Sequence, residues 1–286
     1  MEKDLIIGAF KNYTFNTIKP WIDSINECGF TGDKVIISIG SSKETDSKLA
    51  DAGFTVISAP SQQQMGFHME RFIHIYNFLK EHGDNYRYVI TTDVRDVIFQ
   101  SDPTQWLHSK ILEEGCALVA VSESISIKNE HWNRDNIIKA FGAYFYSGVA
   151  DQEVYNVGTL AGDAHYVRDL CGMLYQLSAN RPDWVADQAA YNILLNWSPY
   201  KECTYFASLK DAWSCNLHVT NKPGEKDHFA PFILEPKPYF EDGIVKDGTS
   251  KQPFCIVHQW DRDPELSVFY KNKYGVEDVL TIRTDV

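Results

Sequence analysis

Positive charge is scarce in this sequence. Its 286 residues carry 27 Lys and Arg against 39 Asp and Glu, a formal net charge of −12. A nucleic-acid partner is not expected, because phosphates are gripped by a basic face and none is visible. An acidic chain that handles a phosphorylated substrate must draw positive charge from elsewhere, and a divalent cation is the economical source. Long hydrophobic runs are also missing. The longest uncharged apolar stretch, Cys116 to Val121, falls far short of a bilayer span, so no integral membrane segment is expected. The apolar run within Met1–Phe10 is too short for a signal peptide and lacks a small-residue cleavage site.

The six cysteines (Cys28, Cys116, Cys171, Cys203, Cys215 and Cys255) form no C-x-x-C pair. They read as reduced thiols, which points to a cytoplasmic protein. Sequons at Asn12 and Asn196 carry little weight without a secretory signal. The dinucleotide fingerprint G-x-G-x-x-G, the phosphate loop G-x-x-x-x-G-K-[ST] and the zinc helix H-E-x-x-H are all absent, and His68 and His74 are not four apart. Dehydrogenases, P-loop kinases and zinc-helix enzymes are therefore disfavoured. No repeat, low-complexity tract or linker divides the chain, so one domain over residues 1–286 is expected.

What is present is alternation. Apolar runs at Leu5–Phe10, Val35–Ile39, Phe54–Ile57 and Tyr88–Thr92 read as buried strands. Between them, Ile18, Trp21, Ile22 and Ile25 mark one helix face. A polar helix starts near Ser41–Ser42, and Met69, Phe72, Ile73, Tyr76 and Leu79 mark another amphipathic helix. Such spacing implies an α/β fold with a largely parallel sheet covered on both faces, its ligands at the carboxyl ends of the strands. Ala117–Val121 is a further strand. Residues 122–151, rich in aromatics such as Trp132 and Tyr144, show no clean period and read as a long loop. Two helices follow, one through Val167, Leu170, Leu174 and Leu177, the other from about Asp187 to Trp197. In the turn-rich last third only Phe254–Val257 reads as a clear strand.

The most informative segment is Tyr88 to Phe99, where an apolar strand delivers Asp93 and Asp96 to its carboxyl end. Carboxylates there can hold a hard divalent ion while leaving positions for water and phosphate oxygens. They can equally cap a turn and pair with Arg95. His258 also ends an apolar strand of the same presumed sheet, so the two segments could meet at one edge, and a neutral imidazole can complete a carboxylate site, particularly for Mn²⁺; a buried structural histidine is the plainer alternative. Asp187, in the first turn of its helix, either complements the macrodipole or, with Gln188, meets sugar hydroxyls or acts as a base. Asn156-Val157-Gly158 offers an amide and a bend, or an ordinary turn. Arg71 is either a solvated helix residue or a contact for diphosphate or carboxylate.

In sequence order these segments resemble the GT-A class of glycosyltransferases. The likeness is carried by Ile90–Pro103, Tyr155–Gly162, Ala186–Asn192 and Val257–Arg262, and covers about residues 1–265. It implies a Rossmann-like, mixed but mostly parallel sheet flanked by helices, with a nucleotide-binding half (1–121) and an irregular acceptor half (122–286). By the same resemblance the chain would move a sugar from a UDP- or GDP-sugar to a hydroxyl of a glycan or other acceptor. Asp93, Asp96 and His258 would hold Mn²⁺ or Mg²⁺, and Asp187 and Gln188 would lie beside the donor sugar, an arrangement closer to the retaining families. Gly8, Ala9, Phe10, Asn12 and Tyr13 would cradle base and ribose, with Arg71, Thr92, Asn156 and Gly158 also on the donor. One departure matters. The strict acidic D-x-D is absent, so the family's first acid falls on Thr91 or on Asp93. Two rivals remain: a sugar-nucleotide nucleotidyltransferase, although Gly8-Ala9-Phe10-Lys11 is a poor basic glycine loop, and a catalytically silent sugar-binding module.

Overall fold

The structure, a computed structural model, describes residues 3–61, 66–182 and 185–276. Its first half alternates β1 (Lys3–Lys11), α1 (Phe15–Glu27), β2 (Asp33–Ile39), α2 (Lys43–Asp51), β3 (Thr55–Ala59), α3 (Phe67–His82) and β4 (Tyr86–Thr92). Side chains of β1 alternate between two cores. Leu5, Ile7 and Ala9 pack with Phe72 and Leu79 of α3, while Ile6 and Phe10 pack with Ile18, Trp21 and Ile22 of α1. A strand covered on both faces has no polar side, which is why it reads as one continuous apolar run. The polar helix α2 is started by Ser42, whose side chain accepts from Thr45 N, and carries Glu44 and Asp46 in its first turn.

Then come β5 (Val97–Phe99), α4 (Thr104–Glu114), β6 (Leu118–Ser126), α5 (His131–Phe141), α6 (Ala143–Val149), β7 (Glu153–Asp163), α7 (Ala164–Ser178) and α8 (Ala186–Leu195). The chain closes with α9 (Tyr200–Cys203), β8 (Thr204–Ala207), β9 (Ser214–Asn216), α10 (His218–Asn221), α11 (Glu225–Phe229), β10 (Tyr239–Glu241), β11 (Ile244–Lys246), β12 (Ile256–His258) and α12 (Pro264–Tyr274). Among the described residues, seven strands form the central sheet in the order β3-β2-β1-β4-β7-β6-β8. The first four run parallel, β7 is antiparallel to both β4 and β6, and β8 is parallel to β6. This is the mixed, mostly parallel α/β architecture expected.

Three local expectations are corrected. Residues 122–151 are not a loop: they complete β6 and form α5 and α6. The period was hidden because α5 buries only Asn133, Ile137 and Ala140, one of them polar, and because its cap is Glu130, whose carboxylate accepts from Trp132 N and Asn133 N. Helix α4 was not expected from the sequence; Asp102, just before it, accepts from Thr104 N at 2.9 Å. In the last third, strands β9 to β12 are three residues each, too short to show alternation. His258 therefore ends a strand of a separate small sheet, β5-β12-β9, and not of the central one.

A candidate metal centre between two sheets

The acidic turn is where the chain changes sheets. Thr92 is the last residue of β4, its hydroxyl accepting from Trp21 Nε1 at 2.8 Å. Asp93 N donates to Gly158 O of β7 at 2.8 Å, and four residues later the chain is in β5 of the small sheet. There β5 pairs antiparallel with β12, setting Val97 opposite His258, and Gln259 N donates to Asp96 O at 2.7 Å. Two glycines make room. A Cβ on Gly8 would lie 2.3 Å from Val94 Cγ1, and one on Gly158 would lie 2.4 Å from His258 Cε1 and 2.8 Å from Asp93 Oδ2.

The result brings Asp93, Asp96 and His258 together, with potential ligand atoms all within 4.8 Å of one another. His258 Nε2 is 3.5 Å from Asp93 Oδ2 and 3.7 Å from Asp96 Oδ1. Its other nitrogen, Nδ1, is 2.8 Å from Asn216 Oδ1. Asn216 Nδ2 donates to Ser122 O, which fixes the amide and leaves Oδ1 as the acceptor. Nδ1 therefore carries the proton, and in the neutral ring the Nε2 lone pair faces two carboxylates. Burial lowers the His258 pKa in spite of Asp96, Glu123 and Asp261 nearby, favouring that neutral form. Burial also works against the Asp96 carboxylate, but the charges around it (His258 once protonated, and the Arg95 and Arg262 guanidiniums) more than offset it and hold its pKa at about 2. A lone pair and two anions converging on one point fit a divalent cation, and the histidine with its second nitrogen anchored is the usual arrangement of a metal ligand.

Arg71, 6% exposed on α3, bonds Asp93 with one guanidinium nitrogen and Asp187 Oδ2 at 3.1 Å with another. It thereby links the acidic turn to the start of α8. Next to Asp187, Gln188 Nε2 donates to Glu123 Oε1 (3.2 Å) and Asn133 Oδ1 (2.9 Å). Asn156 Nδ2 donates to the same Glu123 oxygen at 2.6 Å, and Asn156 Oδ1 accepts from Gly158 N. Burial and the neighbouring Glu130 raise the Glu123 pKa to about 7.

Asp93, Asp96, His258, Arg71, Asp187, Asn156 and Gly158 thus lie in one connected cluster, with Gln188 joined through Glu123. The residues expected at the base and ribose lie at the end of β1. Ala9 and Phe10 are buried in the two cores, Gly8 lies beneath Val94, and Tyr13 is half-buried. Asn12 is exposed in the left-handed region (φ 58°), its N–H on Ile39 O. Missed in the sequence were Asn216, which stands in a strand too short to detect, and Glu123, Glu130 and Asn133. Glu123 did leave a signal, a charge two residues beyond an apolar strand run. A cavity of about 550 Å³ is lined by Val219, Thr220, Ile233, Leu234 and Lys237 among others. Leu234 N in its wall donates to Ser124 O, beside Glu123.

No protein-family model matches this sequence, and no curated protein matches it. Solved structures do. An active-site glutamine-to-glutamate variant of LgtC aligns over 96% of this chain and 97% of its own, with a TM-score of 0.53 at 15% identity. The galactosyltransferase LgtC in complex with donor and acceptor sugar analogues aligns over 95% of both chains, with a TM-score of 0.54 at 15% identity. The fold is of the GT-A type. Within that fold the Asp93–Asp96–His258 cluster stands at the carboxyl end of β4, where an open α/β sheet places its ligands. All six cysteines are free, and among the described residues no helix is long and apolar enough to cross a membrane.

Proposed function

We propose that this chain is a metal-dependent glycosyltransferase that moves a sugar from a nucleotide-diphospho-sugar to a hydroxyl acceptor. The observation that carries the reading is the convergence of Asp93, Asp96 and the His258 Nε2 lone pair, joined through Arg71 to Asp187, in a GT-A fold. Asp93, Asp96 and His258 would hold Mn²⁺ or Mg²⁺, which when bound supplies Lewis-acid stabilisation of the charge on the departing diphosphate. Arg71 adds a fixed positive charge on the donor side, and Asp187 and Gln188 meet the sugar ring as it gains positive character. Electrostatics then does most of the work, and no strong protein nucleophile is required. The carboxyl end of β1 receives base and ribose of a UDP or GDP unit at the exposed Asn12 and half-buried Tyr13, with Gly8, Ala9 and Phe10 shaping it from the cores beneath, alongside Thr92, Asn156 and Gly158. Residues 1–121 serve the nucleotide and 122–286 the acceptor, whose entry is supported by the cavity beside Ser124. Retention of anomeric configuration is the expected outcome, on the likeness of the Asp187–Gln188 helix start to retaining enzymes.

Incubation with UDP- and GDP-sugars and Mn²⁺, without acceptor, tests this directly. A transferase slowly releases free sugar and the nucleoside diphosphate. A nucleotidyltransferase instead shows itself in a parallel incubation with nucleoside triphosphate and sugar phosphate, from which it releases pyrophosphate, and a silent binding module does neither. The fold neighbours lend the last two readings no support.

A further inference from the structure

Two buried acids stand behind the metal cluster, and among the described residues only amides donate to them. Glu123 on β6 is 5% exposed and Glu130, the cap of α5, is 3% exposed. Burying a carboxylate without a cationic partner is costly, and an apolar side chain of similar volume gives the more stable core. Such an exception to packing logic is expected where function requires it. Both acids lead to the same group. Glu123 Oε1 accepts from Gln188 Nε2, and Asn133 Oδ1 accepts from that nitrogen too, while Asn133 Nδ2 donates to Glu130 Oε2 at 2.7 Å. A carboxamide nitrogen has two protons. Both are committed, one to each arm. Among the described residues no hydrogen bond reaches Gln188 Oε1, so the oxygen is the end left for a ligand.

We propose that Glu123 and Asn133 are positioning residues: a two-armed clamp, from β6 and α5, that holds the Gln188 carboxamide nitrogen inward and presents its oxygen to the sugar ring of the donor. The inference rests on the proposed function, since it is that reading which places the donor sugar beside Gln188. Neither arm touches the substrate. An acceptor oxygen at position 123 is required whether the acid is ionised or neutral, because Oε1 accepts in both states. The carboxamide otherwise swings between orientations, and a carbonyl dipole that must reorganise during the reaction stabilises developing positive charge poorly.

The clamp is read first without turnover. In a ¹⁵N spectrum of the full chain, the Gln188 side-chain amide protons are slow to exchange with solvent in wild type and exchange freely in Glu123→Met. Fast exchange in wild type overturns the clamp whatever the enzyme does. Turnover on the donor sugar comes second. Glu123→Met lowers kcat by about 10–100-fold, the range for residues that orient a ligand, with the Mn²⁺-dependent affinity for nucleoside diphosphate unchanged. Glu123→Gln, which keeps a carbonyl oxygen there, recovers most of the loss. In a Gln188→Ala background Glu123→Met costs little more, because the group it orients is gone. Equal losses in Glu123→Gln and Glu123→Met would overturn the proposal in favour of direct proton transfer by Glu123. Full additivity in the Gln188→Ala background would reduce it to structural support. Asn133→Ala carries the same series should Glu123→Met fail to fold. A wild type that cleaves no donor refutes the proposed function and leaves the exchange result to decide the clamp.

Discussion

His258 Nδ1 and Asn216 Oδ1 are 2.8 Å apart, and this contact decides which imidazole nitrogen faces the acids. The pair is also the join between β12 and β9, where His258 stands opposite Asn216 in the register. Replacing Asn216 with Ala frees the ring to rotate and to change tautomer. We expect Mn²⁺ affinity to fall by about 10–100-fold, as for other residues that anchor a metal-binding histidine, when titrated by calorimetry. Unchanged affinity would show that the ring needs no anchor.

Gly158 is sized for the site and not for a turn, because its φ lies outside the left-handed range. A methyl group there meets His258 Cε1 at 2.4 Å and Asp93 Oδ2 at 2.8 Å. Gly158→Ala is expected to cost about 1–3 kcal/mol from overpacking and to abolish Mn²⁺ binding while far-ultraviolet dichroism stays native. Retained Mn²⁺ binding would mean that the His258 and Asp93 side chains shift without losing the site.

Arg71 compensates two acids from inside the protein. With Arg71→Met, Asp187, 4% exposed, loses its bonded cation. Removing one partner from a buried ion pair costs about 3–5 kcal/mol, measurable by urea unfolding of the metal-free protein. Addition of Mn²⁺ recovers part of the loss, since a cation at Asp93 replaces the missing charge. No loss of stability would show that the pair has no energetic weight.

Glu123 makes stability depend on pH in a stated direction. Burial, then Glu130, raises its pKa from 4.5 to about 7 in the folded protein. The folded state therefore holds a proton that the unfolded state has released between those values. Its contribution is fully present below about pH 4.5 and is lost as pH rises through 7. His258, whose pKa is lowered, pulls the opposite way, so the informative quantity is wild type minus Glu123→Gln, from which groups remote from Glu123 cancel. That difference shrinks by roughly 3 kcal/mol from pH 4.5 to 8. A flat difference would place Glu123 at its ordinary value.

The central sheet was legible because burial on two faces leaves an unbroken apolar signature in strands such as Leu5–Phe10, and because α1 and α3 carry apolar stripes at helical spacing. Asp93, Asp96 and His258 were legible as polar groups ending apolar runs. The reason they meet was not. They were expected on one sheet, whereas the turn from Asp93 to Asp96 carries the chain into a second sheet whose three-residue strands hold too few side chains to show a period. Helix α5 was missed for a related reason: its buried Asn133 and its Glu130 cap are chosen by the Gln188 network and not by helix propensity. Asn216, which sets the histidine tautomer, lay in a turn-rich stretch with no local signal at all.

In the proposed function, Asp93, Asp96 and His258 gather a cation that grips a diphosphate. Melting temperatures with UDP, GDP and CMP, each with and without Mn²⁺, test it most directly, because a ligand that binds only the folded state raises the midpoint by mass action. The expected result is a rise with UDP or GDP that requires Mn²⁺, is smaller with CMP, and disappears in both Asp93→Ala and His258→Ala. A nucleotide-dependent rise that is equal without Mn²⁺, or that survives in both variants, would contradict it.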